Sequence, residues 1–254
     1  MQLNGCTCWD EPLRSIAVAT GRDIEYQADG VVMRGRMAVP EGEGPFPGVL
    51  VAHEANGLDD YQVGRAATLA ELGYAAFAFD YHGGGKVFTD REEMFARLEE
   101  LGSDVERIRA LANASLAVLL AEPKVDPSRV AAIGFCFGET VVMELARTGA
   151  DIKAVVGFHP GLNILRPGDS RHITGSVLMC VGADDPIIPP ERRNAFEEEM
   201  RSAKVDWRMN LYGGVLHSFT HPRSTTMGIP GLKYDQLAAE RSWRAMIDLF
   251  NEVF

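Results

Sequence analysis

A glycine-framed turn between a strand and a helix is the feature that most restricts how this chain can fold. Residues 134–138 read Gly-Phe-Cys-Phe-Gly. They follow the apolar run 130–133, which predicts a buried strand, and precede residues 139–147, whose apolar side chains recur at helical spacing. Only glycine fits on either side of so tight a turn. The pattern indicates a nucleophile elbow with Cys136 at its tip, although the five residues alone are equally consistent with a buried structural cysteine.

Strand and helix signals alternate on both sides of this turn. The apolar patterns predict strands at 24–28, 31–39, 47–52, 74–79, 130–133, 154–158, 176–181 and 205–212. They predict helices at 61–72, 139–147, 190–202 and 236–253, with one or two more in 90–121, broken near 101–103. We therefore expect an α/β fold, a doubly wound and mostly parallel sheet with helices on both faces. It forms a single domain over residues 1–254, with an N-terminal extension at 1–22.

Composition excludes several classes of partner. The net charge of −11 disfavours nucleic acid and anionic membranes, which need clustered cations. No run of about 18 apolar residues could span a membrane, and the first residues lack the pattern of a secretory signal. Cys6 and Cys8 form a C-x-C pair without further ligands nearby, so no metal is expected. Four cysteines do not form a disulfide framework, and we expect a cytoplasmic protein, monomeric or homodimeric.

Two polar groups downstream occur where an elbow cysteine needs partners. Asp185 follows a predicted strand, and His217 lies in the loop beyond the last strand. The order nucleophile, acid, histidine is that of an α/β-hydrolase. An imidazole must take the thiol proton, and a carboxylate must hold the imidazole in orientation. Asp184 is the alternative acid, because neighbouring side chains at a strand end point in opposite directions.

Together, residues 134–138, 182–189 and 217–219 make the chain resemble the dienelactone hydrolase family. The resemblance extends from about Ile24 to the C-terminus and includes 158–162 and 211–214. It implies that Glu54 interacts with the nucleophile thiol and takes part in forming the thiolate. It also implies an oxyanion hole made by the backbone N–H groups of Phe137 and Ala55. The expected substrate-pocket side chains are Tyr81, His82, His159, Phe219 and His221.

The chain departs from the family pattern at three points. The family holds the carboxylate of dienelactone with two arginines, whose positions are occupied here by Tyr81-His82 and by His221, with Arg223 two residues further on. Histidine does not reproduce the fork geometry of arginine, so a neutral ester or a differently placed acid is the expected substrate. Glu139 replaces a glycine of the family, and so close to Cys136 its charge would oppose a thiolate.

The predicted function is that of a cysteine hydrolase cleaving a lactone or a small carboxylic ester, with no metal or organic cofactor. Two other classes remain open. One is a noncatalytic binding protein that retains the fold and the residues without activity. The other is a thiol redox protein using Cys136, which would need Cys180 to approach it in space, because no resolving cysteine lies nearby in sequence. The three glycines and the lysine of residues 83–86 lack the order of a phosphate-binding loop and suggest a flexible pocket wall instead.

Overall fold

One eight-stranded sheet organises the computed structural model, which describes residues 21–254. Its strands are β1 (Arg22–Ala28), β2 (Val31–Ala38), β3 (Phe46–Ala52), β4 (Ala75–Phe79), β5 (Val125–Phe135), β6 (Ala154–Phe158), β7 (Ser176–Gly182) and β8 (Trp207–Tyr212). They lie in the order β1-β2-β4-β3-β5-β6-β7-β8. Only β2 pairs antiparallel with its neighbours, and all other pairs are parallel. The prediction of a doubly wound, mostly parallel sheet is confirmed.

Helices cover both faces of the sheet. They are α1 (Asp60–Glu71), α2 (Arg91–Ser103), α3 (Val105–Leu120), α4 (Phe137–Arg147), α5 (Pro190–Ala203) and α6 (Gln236–Val253). Helices α1 and α6 pack on one face, and the apolar sides of α3, α4 and α5 pack on the other. Alternate residues of β3 enter the two cores, Leu50 one and Val51 the other. Burial on both faces explains why the strand is apolar throughout.

Two element boundaries differ from the sequence prediction. Helix α2 continues through Gly102, and the break falls at Asp104, whose carboxylate accepts from the N–H of Arg107 and so starts α3. Strand β5 begins five residues earlier than predicted, at Val125, because a register shift against β3 accommodates the extra residues. Arg22, predicted as part of the extension, is already in β1. Cys6 and Cys8 lie outside the described residues.

The parallel strands all end at the same edge of the sheet. The loops after β3, β4, β5, β6, β7 and β8 therefore converge there, and they carry the predicted functional residues. No helix within residues 21–254 is long and apolar enough to cross a membrane.

Candidate active site

Cys136 is the single residue between the end of β5 and the start of α4. Its backbone has φ 53° and ψ −119°, a conformation that side-chain-bearing residues rarely adopt. A Cβ added to Gly134 would lie 2.3 Å from the carbonyl oxygen of Gly138, and one added to Gly138 would lie 2.3 Å from that of His53. Both contacts are with backbone, so the turn can form only with glycine at these two positions.

The nucleophile position is electrostatically suited to a negative charge. Cys136 is the N-cap residue of α4, but its side chain makes no capping hydrogen bond. The amides of Phe137 and Gly138 at the start of the helix have no carbonyl one turn back to bind, whereas that of Glu139 donates to the carbonyl oxygen of Cys136 at 3.2 Å. The positive end of the helix dipole stabilises an anion there. Cys136 is also partly exposed, so the thiol can be reached from solvent.

His217 and Asp185 form a buried pair beside this turn. The Nδ1 atom of His217 lies 2.6 Å from Oδ2 of Asp185, and the two residues are 2% and 4% exposed. The other oxygen of Asp185 accepts from the N–H of Ile187 at 2.8 Å, which fixes the carboxylate. Asp184, the alternative acid, is exposed. Of the two candidates, the structure brings only Asp185 to the histidine.

The imidazole of His217 is held in orientation by Asp185. Nδ1 donates to the carboxylate, and Nε2, on the other side of the ring, is buried without a hydrogen-bond partner among the described residues. Burial opposes the charged ring, but the neighbouring Cys136 sulfur and the Asp185 carboxylate outweigh it and raise the pKa of His217 to about 10. The ring therefore favours its protonated form at neutral pH.

Glu54 lies in a cluster of polar side chains beside His217. Its carboxylate accepts from the hydroxyl of Ser218 at 3.2 Å and lies 3.6 Å from Nε2 of His159 and 3.8 Å from Nε2 of His221. Burial raises the pKa of Glu54, although the nearby imidazoles of His221 and His217 partly offset this. Its polar contacts are therefore with two neighbouring loops, the one after β6 and the one after β8. Ser218, with φ 52°, was not identified from the sequence.

The positions where the family has its two arginines carry side chains that are uncharged or already in contact with neighbouring side chains. His82 is nearly buried, and Nε2 of its ring donates to the carbonyl oxygen of Ala55 at 2.9 Å. Burial lowers the pKa of His82 to about 3, so this ring is uncharged at neutral pH. His221 stacks on Tyr61 with ring centroids 4.4 Å apart, and the guanidinium of Arg223 donates to Asp59 at 3.1 Å.

Three of the predicted pocket side chains have no exposed surface. Tyr81, His159 and Phe219 are each 0% exposed. Phe219 belongs to the core beneath α6, while Nε2 of His159 lies 2.8 Å from the hydroxyl of Thr220. Burial lowers the pKa of His159 well below its usual range. These side chains are enclosed by their neighbours and present no surface to solvent.

The glycine-rich loop after β4 wraps around its own aspartate. Asp80 accepts from the backbone N–H groups of His82, Gly83 and Gly85 at 2.7 to 2.9 Å. Burial alone would raise its pKa, but the His53 imidazole and these amides lower the pKa of Asp80 to about 2. The amides that could have held a phosphate are thus occupied by a carboxylate. An aspartate just before a glycine cluster was the available sequence signal.

Glu139 is buried in the interior of the protein. It is 0% exposed, and its Oε2 accepts from the N–H of Leu162 at 3.2 Å and lies 3.4 Å from the hydroxyl of Thr140. Burial raises the pKa of Glu139 to about 7, partly offset by Arg147. The carboxylate thus holds the loop that follows β6. This contact is a structural role for a glutamate at a position where the family has glycine.

Within the described residues, Cys180 is poorly suited to thiol exchange, and no side-chain group is arranged to hold a metal ion. Cys180 is a free thiol, fully buried in β7, and its sulfur accepts from the hydroxyl of Tyr212 at 3.7 Å. Burial raises the pKa of the Cys180 thiol to about 12, so it is a poor partner for thiol exchange. Within residues 21–254, no group of three or more His, Cys, Asp or Glu side chains is arranged to hold a metal ion.

Comparison with known proteins gives consistent matches over nearly the whole chain. A crystal structure described as a dienelactone hydrolase-like promiscuous phosphotriesterase from metagenomic libraries has 45% sequence identity and a TM-score of 0.89, covering 92% of this chain and 98% of its own. Protein usf of Aquifex pyrophilus is 26% identical, covering 91% of this chain and 98% of its own. A Bradyrhizobium protein named as a probable 2-oxo-3-(5-oxofuran-2-ylidene)propanoate lactonase is 26% identical, covering 87% and 89% respectively.

A family model also matches nearly the whole chain. The model of the dienelactone hydrolase family matches residues 33–254, which include the elbow, the His217–Asp185 pair and Glu54. The resemblance seen in the sequence motifs is therefore confirmed. The chain belongs to the dienelactone hydrolase family and is an ester-bond hydrolase.

Proposed function

We propose that this enzyme hydrolyses a neutral carboxylic ester or lactone through a Cys136–His217–Asp185 triad. The observation that carries the proposal is the 2.6 Å pair of His217 and Asp185, whose imidazole interacts with the thiol on the elbow. A cysteine with an adjacent imidazolium is an activated nucleophile. The carboxylate holds the ring so that Nε2 faces the reaction.

The proposed reaction proceeds in two halves. The Cys136 thiolate attacks the carbonyl carbon, and the oxygen that becomes negative is bound by the N–H groups of Phe137 and Ala55. His217 protonates the departing alkoxide as the carbon–oxygen bond breaks, leaving an acyl thioester on the sulfur. The imidazole then removes a proton from water, whose oxygen attacks the thioester and releases the carboxylic acid. The thiolate and the imidazolium are restored.

Glu54 is proposed to adjust the charge around the thiol. Its carboxylate is buried, has a raised pKa and is hydrogen-bonded to Ser218, the residue after His217. A change in its charge would be felt by His221 and His217, the two imidazoles that interact with it most strongly. This agrees with the part that the resemblance assigns to Glu54 in forming the thiolate.

The charges around the site support a neutral substrate. The charged neighbours of Tyr81 are Cys136, Glu54 and Asp80, all of them acidic groups. Arg223 is paired with Asp59, and His82 is uncharged at neutral pH. Neither Arg223 nor His82 is therefore a free cation that could hold a substrate carboxylate as an arginine fork does. The lactone and phosphotriester in the names of the related proteins define a panel of compounds to test.

The proposal is tested by assaying p-nitrophenyl acetate, neutral lactones, a carboxylate-bearing dienelactone and a neutral phosphotriester. Cys136→Ala or His217→Ala is expected to lower kcat/KM at least about a hundredfold, because each removes a group that makes or breaks bonds. Cys180→Ala is the matched control, since that buried thiol takes no part in the reaction. Undiminished turnover in Cys136→Ala would reject the triad. Absence of turnover in the wild type on every compound would favour a binding protein.

A further inference from the structure

The oxyanion-binding peptide is oriented by side chains that no motif identifies. We propose that His53 and Tyr81 are positioning residues, which fix the N–H of Ala55 toward the reacting carbonyl by holding the other side of the same peptide group. The inference rests on the proposed function, because it concerns how one of its two oxyanion donors is aimed.

The N–H of Ala55 and the C=O of Glu54 belong to one planar trans peptide group and point in opposite directions. Whatever fixes the carbonyl therefore fixes the N–H. The segment lies beside the nucleophile, because a Cβ on Gly138, two residues after Cys136, would meet the carbonyl oxygens of His53 and Ala52.

Three donors converge on the carbonyl oxygen of Glu54. They are Nδ1 of His53 at 2.6 Å, the hydroxyl of Tyr81 at 3.0 Å and the N–H of Gly57 at 3.2 Å. The Tyr81 hydroxyl is also 3.1 Å from the carbonyl oxygen of His53. A carbonyl held by three donors cannot rotate without breaking several hydrogen bonds in a buried environment, where each unpaired group costs about 1–3 kcal/mol.

The two side chains also fix each other. His53 and Tyr81 stack with ring centroids 3.7 Å apart and an interplanar angle of 16°. Because Nδ1 of His53 donates to Glu54, its Nε2 is an acceptor, and the backbone N–H of Tyr81 donates to it at 3.3 Å. Both residues have 0% exposure. Neither can touch the substrate, so any effect on catalysis must pass through the backbone that they hold.

The next peptide is secured in the same way. Nε2 of His82 donates to the carbonyl oxygen of Ala55, and the N–H of Phe88 donates to that of Asn56 at 2.7 Å. His82 is in turn placed by the carboxylate of Asp80. The loop after β4 thus acts as a brace for the loop after β3. This gives a role to the buried side chains that the sequence assigned to a pocket.

The test separates the oxyanion from the thiolate. Tyr81→Phe and His53→Leu are expected to lower kcat on p-nitrophenyl acetate roughly 10- to 100-fold, the effect of a misaimed donor, with KM changed less than about threefold. Alkylation of Cys136 by iodoacetamide, which builds no oxyanion, should keep its wild-type rate and pH profile. His53→Asn, which can place an amide donor where Nδ1 stood, should restore most of kcat. Tyr212→Phe, which removes a partly buried hydroxyl that contacts Cys180 outside this segment, should behave as wild type.

Each outcome has a distinct meaning. Wild-type kcat in both Tyr81→Phe and His53→Leu, with Cys136→Ala inactive, would overturn the positioning role and leave the triad standing. Equal losses in turnover and alkylation would also overturn it, because the residues would then act on the sulfur. If one variant fails to fold, as judged by circular dichroism, the other decides. Activity retained in Cys136→Ala would instead reject the proposed function itself.

Discussion

At the scale of single residues, Glu139 carries an ionisable group into the interior one turn from the nucleophile. Its Oε2 receives the N–H of Leu162, and its Oε1 has no hydrogen-bond partner. Burial raises its pKa from 4.5 to about 7. The folded chain therefore binds this proton more tightly than the unfolded chain does. The associated stability is present below about pH 4.5 and is lost as the pH rises through about 7.

Glu139→Gln should remove this pH dependence. Relative to the variant, the wild type is expected to lose stability between about pH 5 and pH 8, by up to about 3 kcal/mol, because ionising the buried carboxyl is unfavourable. Urea unfolding at the two pH values measures the difference. Curves for the two proteins that stay parallel across this range would contradict the assignment of the titration to Glu139.

The sequence could anticipate the partners of Cys136 but not the surroundings of Glu54. Elbow, acid and histidine have a fixed chain order, so His217 and an acid at Asp185 or Asp184 could be proposed from the elbow. The structure places Asp185 beside His217. The contacts of Glu54 with Ser218, His159 and His221 depend on which loops fold against each other after three different strands. No periodicity or spacing encodes such contacts, and the complete burial of Tyr81, His159 and Phe219 could not be predicted for the same reason.

At the scale of secondary-structure elements, the elbow requires glycine at two positions where any side chain would collide with backbone. Gly134→Ala or Gly138→Ala is expected to prevent correct folding, because the new methyl group would lie 2.3 Å from backbone oxygen. Gly64→Ala in α1 is the matched control: nothing lies within 4 Å of its added Cβ, and the change should stabilise the chain by about 0.5–1 kcal/mol. Soluble yield and thermal unfolding measure both effects. A Gly138→Ala variant with wild-type stability would refute this account of the turn.

Most elements could be predicted because their signals are local. The α6 bounds follow from a continuous amphipathic pattern and from an aspartate cap at Asp235. The α2–α3 break was displaced because Gly102 suggested a helix end, whereas the capping carboxylate of Asp104 decided it. The first residues of β5 were missed because their pairing requires a register shift, which depends on the partner strand.

At the scale of the whole molecule, a buried ionic network joins elements distant in sequence. Arg147 of α4 is 1% exposed and donates to Glu144 at 2.8 Å, to Glu199 of α5 at 3.1 Å and to the hydroxyl of Ser170 at 3.1 Å. Arg109 of α3 also pairs with Glu144. The elbow helix is thereby connected through charge to both of its neighbours on that face of the sheet.

Arg147→Met should destabilise the fold by about 3–5 kcal/mol, because it removes a buried cation, leaving Glu144 with Arg109 alone and Glu199 without the partner it has in α4. Arg201→Met is the control, since that arginine pairs with Glu198 on the exposed side of α5 and its loss should change stability by less than about 1 kcal/mol. Urea denaturation compares the two. Similar small effects for both substitutions would mean that the network contributes little to folding.

The left-handed backbone of Cys136 has a consequence for how such an enzyme changes over time. A residue bearing a side chain in this region costs about 1–3 kcal/mol, which the rest of the fold must offset. Glycine at position 136 would relieve that strain and would also remove the proposed nucleophile. Substitution there therefore sets conformational stability against the proposed activity.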